Sequence, residues 1–231
     1  MTGLRLGVPS KGRLMEKTFD WFGARGVTLR RTGAAREYAG SVEGVSDVEL
    51  VLLSAGEIPR ELSAGRIHLG VTGSDLIREK LADWDDKIRV VAPLGFGRAD
   101  LVLAVPQAWV DVNVIEDLDA VAAQFRAHHG FRLRIATKYH RLVREFLREN
   151  GVADYQLVDS QGATEGTIKN GAAEAIADIT SSGDTLRANH LKTLEDGLIH
   201  ASQATLFSVP GSSLDEKTRA VLAEFCKKIG I

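Results

Sequence analysis

Cysteine is almost absent from this chain. A single thiol, Cys226, stands among 231 residues, so no internal disulfide and no thiol pair for a metal site can form. A half-apolar helical context makes it a buried, inert thiol. Charge of one sign is lacking too: 29 Lys and Arg face 31 Asp and Glu, a formal net charge of −2. That balance excludes bulk nucleic-acid or polyanion binding, though not a local anion pocket. No run approaches the roughly 18 apolar residues of a membrane span. The opening residues "MTGLRLGVPSKGRL" lack the apolar core of an export signal, so the expectation is a cytoplasmic protein without a membrane partner. Internal repeats and low-complexity tracts are missing as well. Trp21, Trp84 and Trp109 are scattered, as packing residues are. The six histidines show no ligand spacing beyond His128–His129, which should point apart on a helix, so no zinc site is expected.

What is present is ordinary globular material, 44% hydrophobic and 26% charged. Short β-branched runs alternate with helical patterns. Strands are expected at 4–8, 48–53, 67–71, 88–92, 101–105, 133–137 and 174–179. Between them, Met15, Phe19 and Phe22 recur at helical spacing before Gly26, and Leu142, Val143, Phe146 and Leu147 do so before Gly151. A last helix opens with Ser213 and Glu216 in capping-box spacing. This alternation predicts an α/β fold with mixed, mostly parallel sheets flanked by helices. Glycines and prolines in "PLGFGRADLVLAVP" (93–106) mark a crossing between lobes, with a return in "ASQATLFSVPG" (201–211). The resulting division is 1–94 with 205–231 as one lobe and 95–204 as the other, with a cleft.

The segment "AIADITSSGDTLRANHLK" places a polar loop between a buried strand and a helix. Strand ends in open α/β sheets bind ligands, and unpaired N–H groups at a helix start suit anions. Gly183 allows a positive φ, while Thr180, Ser181, Ser182 and Thr185 offer hydroxyl donors. Asp178, and Glu165 upstream, suit ribose hydroxyls or a Mg²⁺ carried by pyrophosphate. A capped turn explains the same residues, and both readings stand at this level. "GVPSKGRL" (7–14) brings Lys11 and Arg13 to a helix start, where cations are disfavoured unless an anion is bound. Its likeness to a nucleotide-binding P-loop fails: Pro9 removes a donor, Arg13 replaces the lysine, and Leu14 cannot hold Mg²⁺. "GVTGSDL" (70–76) is a second such junction, where Thr72, Gly73, Ser74 and Asp75 either bind phosphate or form an N-capped turn.

The run "EGTIKNGAAEAIADITSSGDTL" (165–186) resembles the signature of ATP phosphoribosyltransferases, through Gly171, Ala173, Ile176, Asp178, Ile179, Ser182, Gly183, Thr185 and Leu186. "PSKGRL", "EIPRELSAGRIHLGVTGSDLI", "LGFGRADLVLAVP" and "IATKYHRLVREFL" agree in order. The resemblance implies a two-lobed fold like type II periplasmic binding proteins. It implies transfer of the 5-phosphoribosyl group of phosphoribosyl pyrophosphate (PRPP) to N1 of ATP, with Mg²⁺, opening histidine biosynthesis. The 178–186 loop, Asp184 included, would hold the 5′-phosphate, with Asp178 and Glu165 on the ribose. Lys11, Arg13 and an arginine at Arg36 would face pyrophosphate. Family members often carry R-A-x-D-[IV]-P where this chain has "SAGEIP", with Ser54 and Glu57, so one cation is missing or replaced. "ATEG" replaces the more usual S-V-E, with the acid kept as Glu165. Length implies the short form, a homo-oligomer within a hetero-oligomer built on a histidyl-tRNA-synthetase-like regulatory subunit. The other class of function for this fold is a non-catalytic solute-binding module.

Overall fold

A computed structural model describes residues 3–32, 39–160 and 162–231. It divides into two compact units, one ending at Gly97 and resuming at Gln203, the other Arg98–Ser202. The first unit contains β1 (Leu4–Pro9), α1 (Gly12–Gly23), β2 (Thr28–Arg31), β3 (Ala39–Glu43), β4 (Val48–Leu53), α2 (Ile58–Ser63), β5 (Leu69–Gly73), α3 (Ser74–Lys80), α4 (Trp84–Lys87) and β6 (Arg89–Pro93). The second contains β7 (Ala99–Pro106), α5 (Ile115–His129), β8 (Leu133–Thr137), α6 (His140–Glu149), β9 (Tyr155–Asp159), α7 (Gly166–Lys169), β10 (Ala175–Thr180), α8 (Asp184–Ala188) and β11 (Leu191–Ser202). The chain then returns to the first unit with β12 (Ala204–Ser208), a 3₁₀ turn (Gly211–Ser213) and α9 (Glu216–Lys228).

The α/β class stands, with one refinement to strand direction. The first sheet runs β2-β3-β4-β1-β5-β12-β6, and only β4-β1-β5 is parallel. The second runs β11-β7-β10-β8-β9, parallel across β10-β8-β9 and antiparallel on the other side. The sheets are therefore mixed rather than mostly parallel. Helical crossovers impose parallel pairing only where a helix separates neighbouring strands. β12 enters between β5 and β6 without one, and β11 returns directly beside β7.

Apolar alternation explains the cores. Leu4, Leu6 and Val8 of β1, Leu50 and Leu52 of β4, and Leu69 and Val71 of β5 are buried together with Phe22 of α1 and Phe225 of α9. In the second unit, Val102 and Ala104 of β7, Ala136 of β8 and Ile176 of β10 pack with Leu186 and Leu191. Cys226 is half-buried, and burial pushes its thiol pKa up, which suits an inert side chain.

The start of α9 departs from the capping box expected at Ser213 and Glu216. Ser213 belongs to the 3₁₀ turn, and the N-cap is Asp215, whose Oδ1 accepts from the Thr218 amide at 2.7 Å. A carboxylate two residues nearer the helix satisfies the orphan amide directly. Asp215→Ala is expected to cost about 1 kcal/mol and lower the melting temperature by about 3 °C in calorimetry. His128 and His129 also differ from expectation. Their rings lie 4.8 Å apart, edge to face, because His129 swings onto Phe125 at 4.3 Å.

Candidate phosphate-binding site

β10 carries the site to the surface. Ala175, Ile176 and Ala177 are buried between β7 and β8, then Asp178 is half-buried and Ile179 is 45% exposed. The strand ends at Thr180, and α8 begins at Asp184 with Leu186 buried beneath it. Anchored at both ends, the three-residue connection has little freedom. Gly183 closes it at φ 75°, in the left-handed region.

The loop holds itself with its own polar groups. The Thr180 hydroxyl oxygen accepts from the Gly183 amide at 2.8 Å. Ser181 Oγ donates to the Arg98 carbonyl at 3.1 Å, tying the loop to the entry of β7. Ser182 Oγ donates to Asp184 Oδ2 at 2.6 Å, and Arg187 donates to the Ser182 carbonyl at 2.8 Å while pairing with Asp184. Thr180 therefore keeps its hydroxyl proton, and Thr185 Oγ1 has no partner among the described residues, as do the amides of Ser182 and Thr185. These are the donors available to an anion. With only five residues, α8 contributes a small dipole, so the amides matter more than the helix.

Glu165, Asp178, Thr180, Ser181, Ser182, Asp184 and Thr185 line one cavity of about 260 Å³, with Ile179 and Leu186 as apolar wall. The structure thus brings together the sequence-predicted group of the second unit around Gly183. Arg187 was not among them. Its spacing of three residues from Asp184 on a helix was the available signal. It changes the reading of Asp184: the Ser182 hydroxyl, then the Arg187 guanidinium, hold that carboxyl below its ordinary pKa. Asp184 shapes the loop, and its charge is offset rather than offered to a phosphate. A folded-state pKa below the unfolded one gives stability that is present above the unfolded pKa and lost as pH falls through the folded value. Arg187→Ala should raise the Asp184 pKa in a ¹³C carboxyl titration; an unchanged value would show the pair to be inconsequential.

In the first unit, Lys11 is the N-cap of α1, with extended backbone and no capping hydrogen bond. Lys11 and Arg13 are exposed, flank Gly12, and have no ion-pair partner among the described residues; the first turn of α1 holds no acid. Two cations at an uncapped helix start leave a local positive field without a counter-charge. Arg36 lies outside the described residues.

The junction at 70–76 is corrected in part. Thr72 is fully buried, and its hydroxyl donates to the Ala55 carbonyl at 2.9 Å, so it pins β5 to the loop before α2 and cannot reach a ligand. A buried and an exposed threonine look alike in sequence. Asp75 is buried, and it and Ser74 have partners of their own; Gly73 is the N-cap of α3. The "SAGEIP" departure has a local cause. The amide and hydroxyl of Ser54 both donate to Glu57 Oε2, at 3.0 and 2.7 Å. That hydroxyl holds the Glu57 pKa below its ordinary value. Among the described residues, no group of three His, Cys, Asp or Glu could hold a metal ion, and no helix is long and apolar enough to cross a membrane.

Two α/β units, each a mixed sheet, with the chain crossing twice between them, define the architecture of the type II periplasmic binding proteins. The substrate binding protein of an amino acid ABC transporter matches with a TM-score of 0.51 at 11% identity, covering 98% of this chain and 92% of that one. Residues 54–230 match the family model described as ATP phosphoribosyltransferase, and the chain belongs to that family of enzymes, which open histidine biosynthesis. It is 78% identical over 205 residues to the ATP phosphoribosyltransferase of Cereibacter sphaeroides, covering 89% of this chain and 87% of that relative. A longer relative from Rhodopseudomonas palustris strain BisB18 is 54% identical, and this chain spans 62% of its length. The ATP phosphoribosyl transferase (HisG:HisZ) complex from Thermotoga maritima has the same fold, with TM-score 0.73, 22% identity and coverage of 98% and 96%.

Proposed function

We propose that this chain transfers the 5-phosphoribosyl group of PRPP to N1 of ATP, with the 178–186 loop gripping the 5′-phosphate. The observation that carries the assignment of the loop is its set of uncommitted donors beside two carboxylates. The Ser182 and Thr185 amides and the Thr180 and Thr185 hydroxyls suit phosphoryl oxygens, and Asp178 and Glu165 suit the donor hydroxyls of a ribose. In the reaction the N1 lone pair forms the bond to the anomeric carbon as the C1–oxygen bond breaks. Its electron pair leaves on pyrophosphate, and no oxidant is needed. Charge grows on the leaving group while the sugar becomes oxocarbenium-like, so fixed cations aimed there lower the barrier.

We assign that role to Lys11 and Arg13, which have no ion-pair partner among the described residues, and extend it to Arg36 from the family pattern. Mg²⁺ carried by pyrophosphate would supply charge neutralisation on its oxygens, and no residue of the chain is assigned to hold it. Gly73 and Ser74 remain weaker candidates on the ATP side. A HisZ-like regulatory subunit, related to histidyl-tRNA synthetases, is the partner we assign, with the chain itself as a homo-oligomer in the cytoplasm. A continuous pyrophosphate-release assay with ATP and PRPP tests the reaction. Release that requires both substrates supports it. Turnover with other bases but not ATP removes the substrate assignment, and ligand binding without release would restore the solute-binding alternative.

A further inference from the structure

The second unit holds arginines of two kinds. Arg126 pairs with Asp154, Arg134 with Glu174, Arg141 with Glu145 and Arg187 with Asp184. Arg132, Arg144 and Arg148 have no acidic partner among the described residues, and all three line a single cavity of about 570 Å³. Arg144 and Arg148 project from one face of α6, four residues apart, and Arg132 precedes β8. The floor is β9, the edge strand of its sheet, through Tyr155 and Gln156. Like charges at this helical spacing repel by a few tenths of a kcal/mol. The C-terminal dipole of α6 favours Arg148, which sits in its last turn, but accounts for neither Arg144 nor Arg132. Glu145 and Glu149, the acids next to Arg144 and Arg148 in sequence, do not line the cavity. Three arginines thus line one cavity with no acidic partner among the described residues, in a volume within the range of small-molecule sites.

We propose that this cavity, separate from the 178–186 loop, binds a small polyanion of the di- or triphosphate class. Three fixed positive charges offset most of the charge of a di- or triphosphate, and the planar guanidinium holds phosphoryl oxygens through paired hydrogen bonds. Tyr155 adds an aromatic wall that a nucleoside base could cover. The claim is independent of the assigned reaction.

Inorganic triphosphate, titrated into the full chain, tests it through the arginine Nε–Hε cross-peaks in ¹⁵N spectra. The peaks of Arg132, Arg144 and Arg148 should move together and saturate, with affinity falling as salt rises. R144A/R148A should weaken binding at least tenfold with pyrophosphate release from ATP and PRPP unchanged. R144K/R148K, which keeps the charges without the forks, should fall between. Both pairs are exposed, and an unchanged melting temperature confirms that folding is intact. Nucleoside triphosphates more than tenfold tighter than triphosphate, with the excess lost in Tyr155→Leu, identify a nucleotide; equal affinities identify free polyphosphate. No saturable shift at millimolar triphosphate, equal binding by R144A/R148A, or far tighter binding of an RNA oligonucleotide or an acidic polypeptide would each overturn the proposal.

Discussion

Lys11→Ala combined with Arg13→Ala should lower kcat for pyrophosphate release by between a hundredfold and ten-thousandfold while leaving the fold intact. Losing one group aimed at developing charge removes about 3 kcal/mol of transition-state stabilisation, roughly a hundredfold. Two such losses multiply only if the groups act independently. Residues that bracket one glycine share their anion, so the double variant should fall short of the product. The stability side of the forecast comes from the same geometry. Neither side chain has an ion-pair partner among the described residues, and both sit at a helix start where the dipole repels them. Removing them should therefore leave the melting temperature equal or slightly higher. The KM for ATP should change little, because the groups are assigned to charge that appears only as the bond to pyrophosphate breaks. A kcat within threefold of the parent chain would move the leaving-group role elsewhere, with Arg36 next in line.

The strands that were legible in sequence are those with a short run of branched apolar residues. β4 and β8 are mostly apolar, interrupted by Glu49 and Arg134, and their ends coincide with expectation at 48–53 and 133–137. β2 and β9 were not legible, because an edge position leaves alternate residues in water, and β3, paired on both sides, was not because "AGSVE" holds a single large apolar residue. β2 reads "TLRR", with only Leu29 buried. β11 hid for another reason: Glu195, Asp196 and Gly197 interrupt it, and its pairing with β7 shifts register between Thr193 and Leu198. β12 is the reverse case. Its residues are buried throughout, yet the neighbouring proline and glycine gave them the look of a connection alone.

The site divides similarly. The 178–186 loop was legible as a candidate anion site because its marks are compositional: small residues, hydroxyls and a glycine at the turn. What sequence could not supply was the internal account of each hydroxyl. Ser181 and Ser182 spend their protons on Arg98 and Asp184, whereas Thr185 does not. Thr72 offered the same side chain in a similar junction and proved to be core. Hydrogen-bond bookkeeping of this kind depends on neighbours distant in sequence, 17 residues away for Thr72 and 83 for Ser181.

Gly183→Val should raise the KM for PRPP at least about a hundredfold while the KM for ATP stays near its parent value. At φ 75° a branched side chain is a steric outlier, so the residue is driven out of the left-handed region. Even a lone Cβ would lie 2.8 Å from Arg187 Nη1. That atom is the far end of a flexible side chain and can give way for either substitution, so the backbone change that valine forces carries the effect. The Gly183 amide then no longer meets the Thr180 hydroxyl, and the Ser182 and Thr185 amides no longer converge. Hydrogen bonds to a charged group are worth about 1.5–3 kcal/mol each, so losing two accounts for a hundredfold or more. Strain at the position adds about 1–2 kcal/mol of lost stability, visible in denaturant titration and small enough to leave the protein folded. Gly183→Asn separates backbone from side chain. Asparagine tolerates the left-handed region, so this variant should keep most of the affinity that valine destroys. Steady-state KM values for the two substrates decide the matter: a valine variant that is folded and still saturates at the parent PRPP concentration would show that this turn does not hold the sugar phosphate.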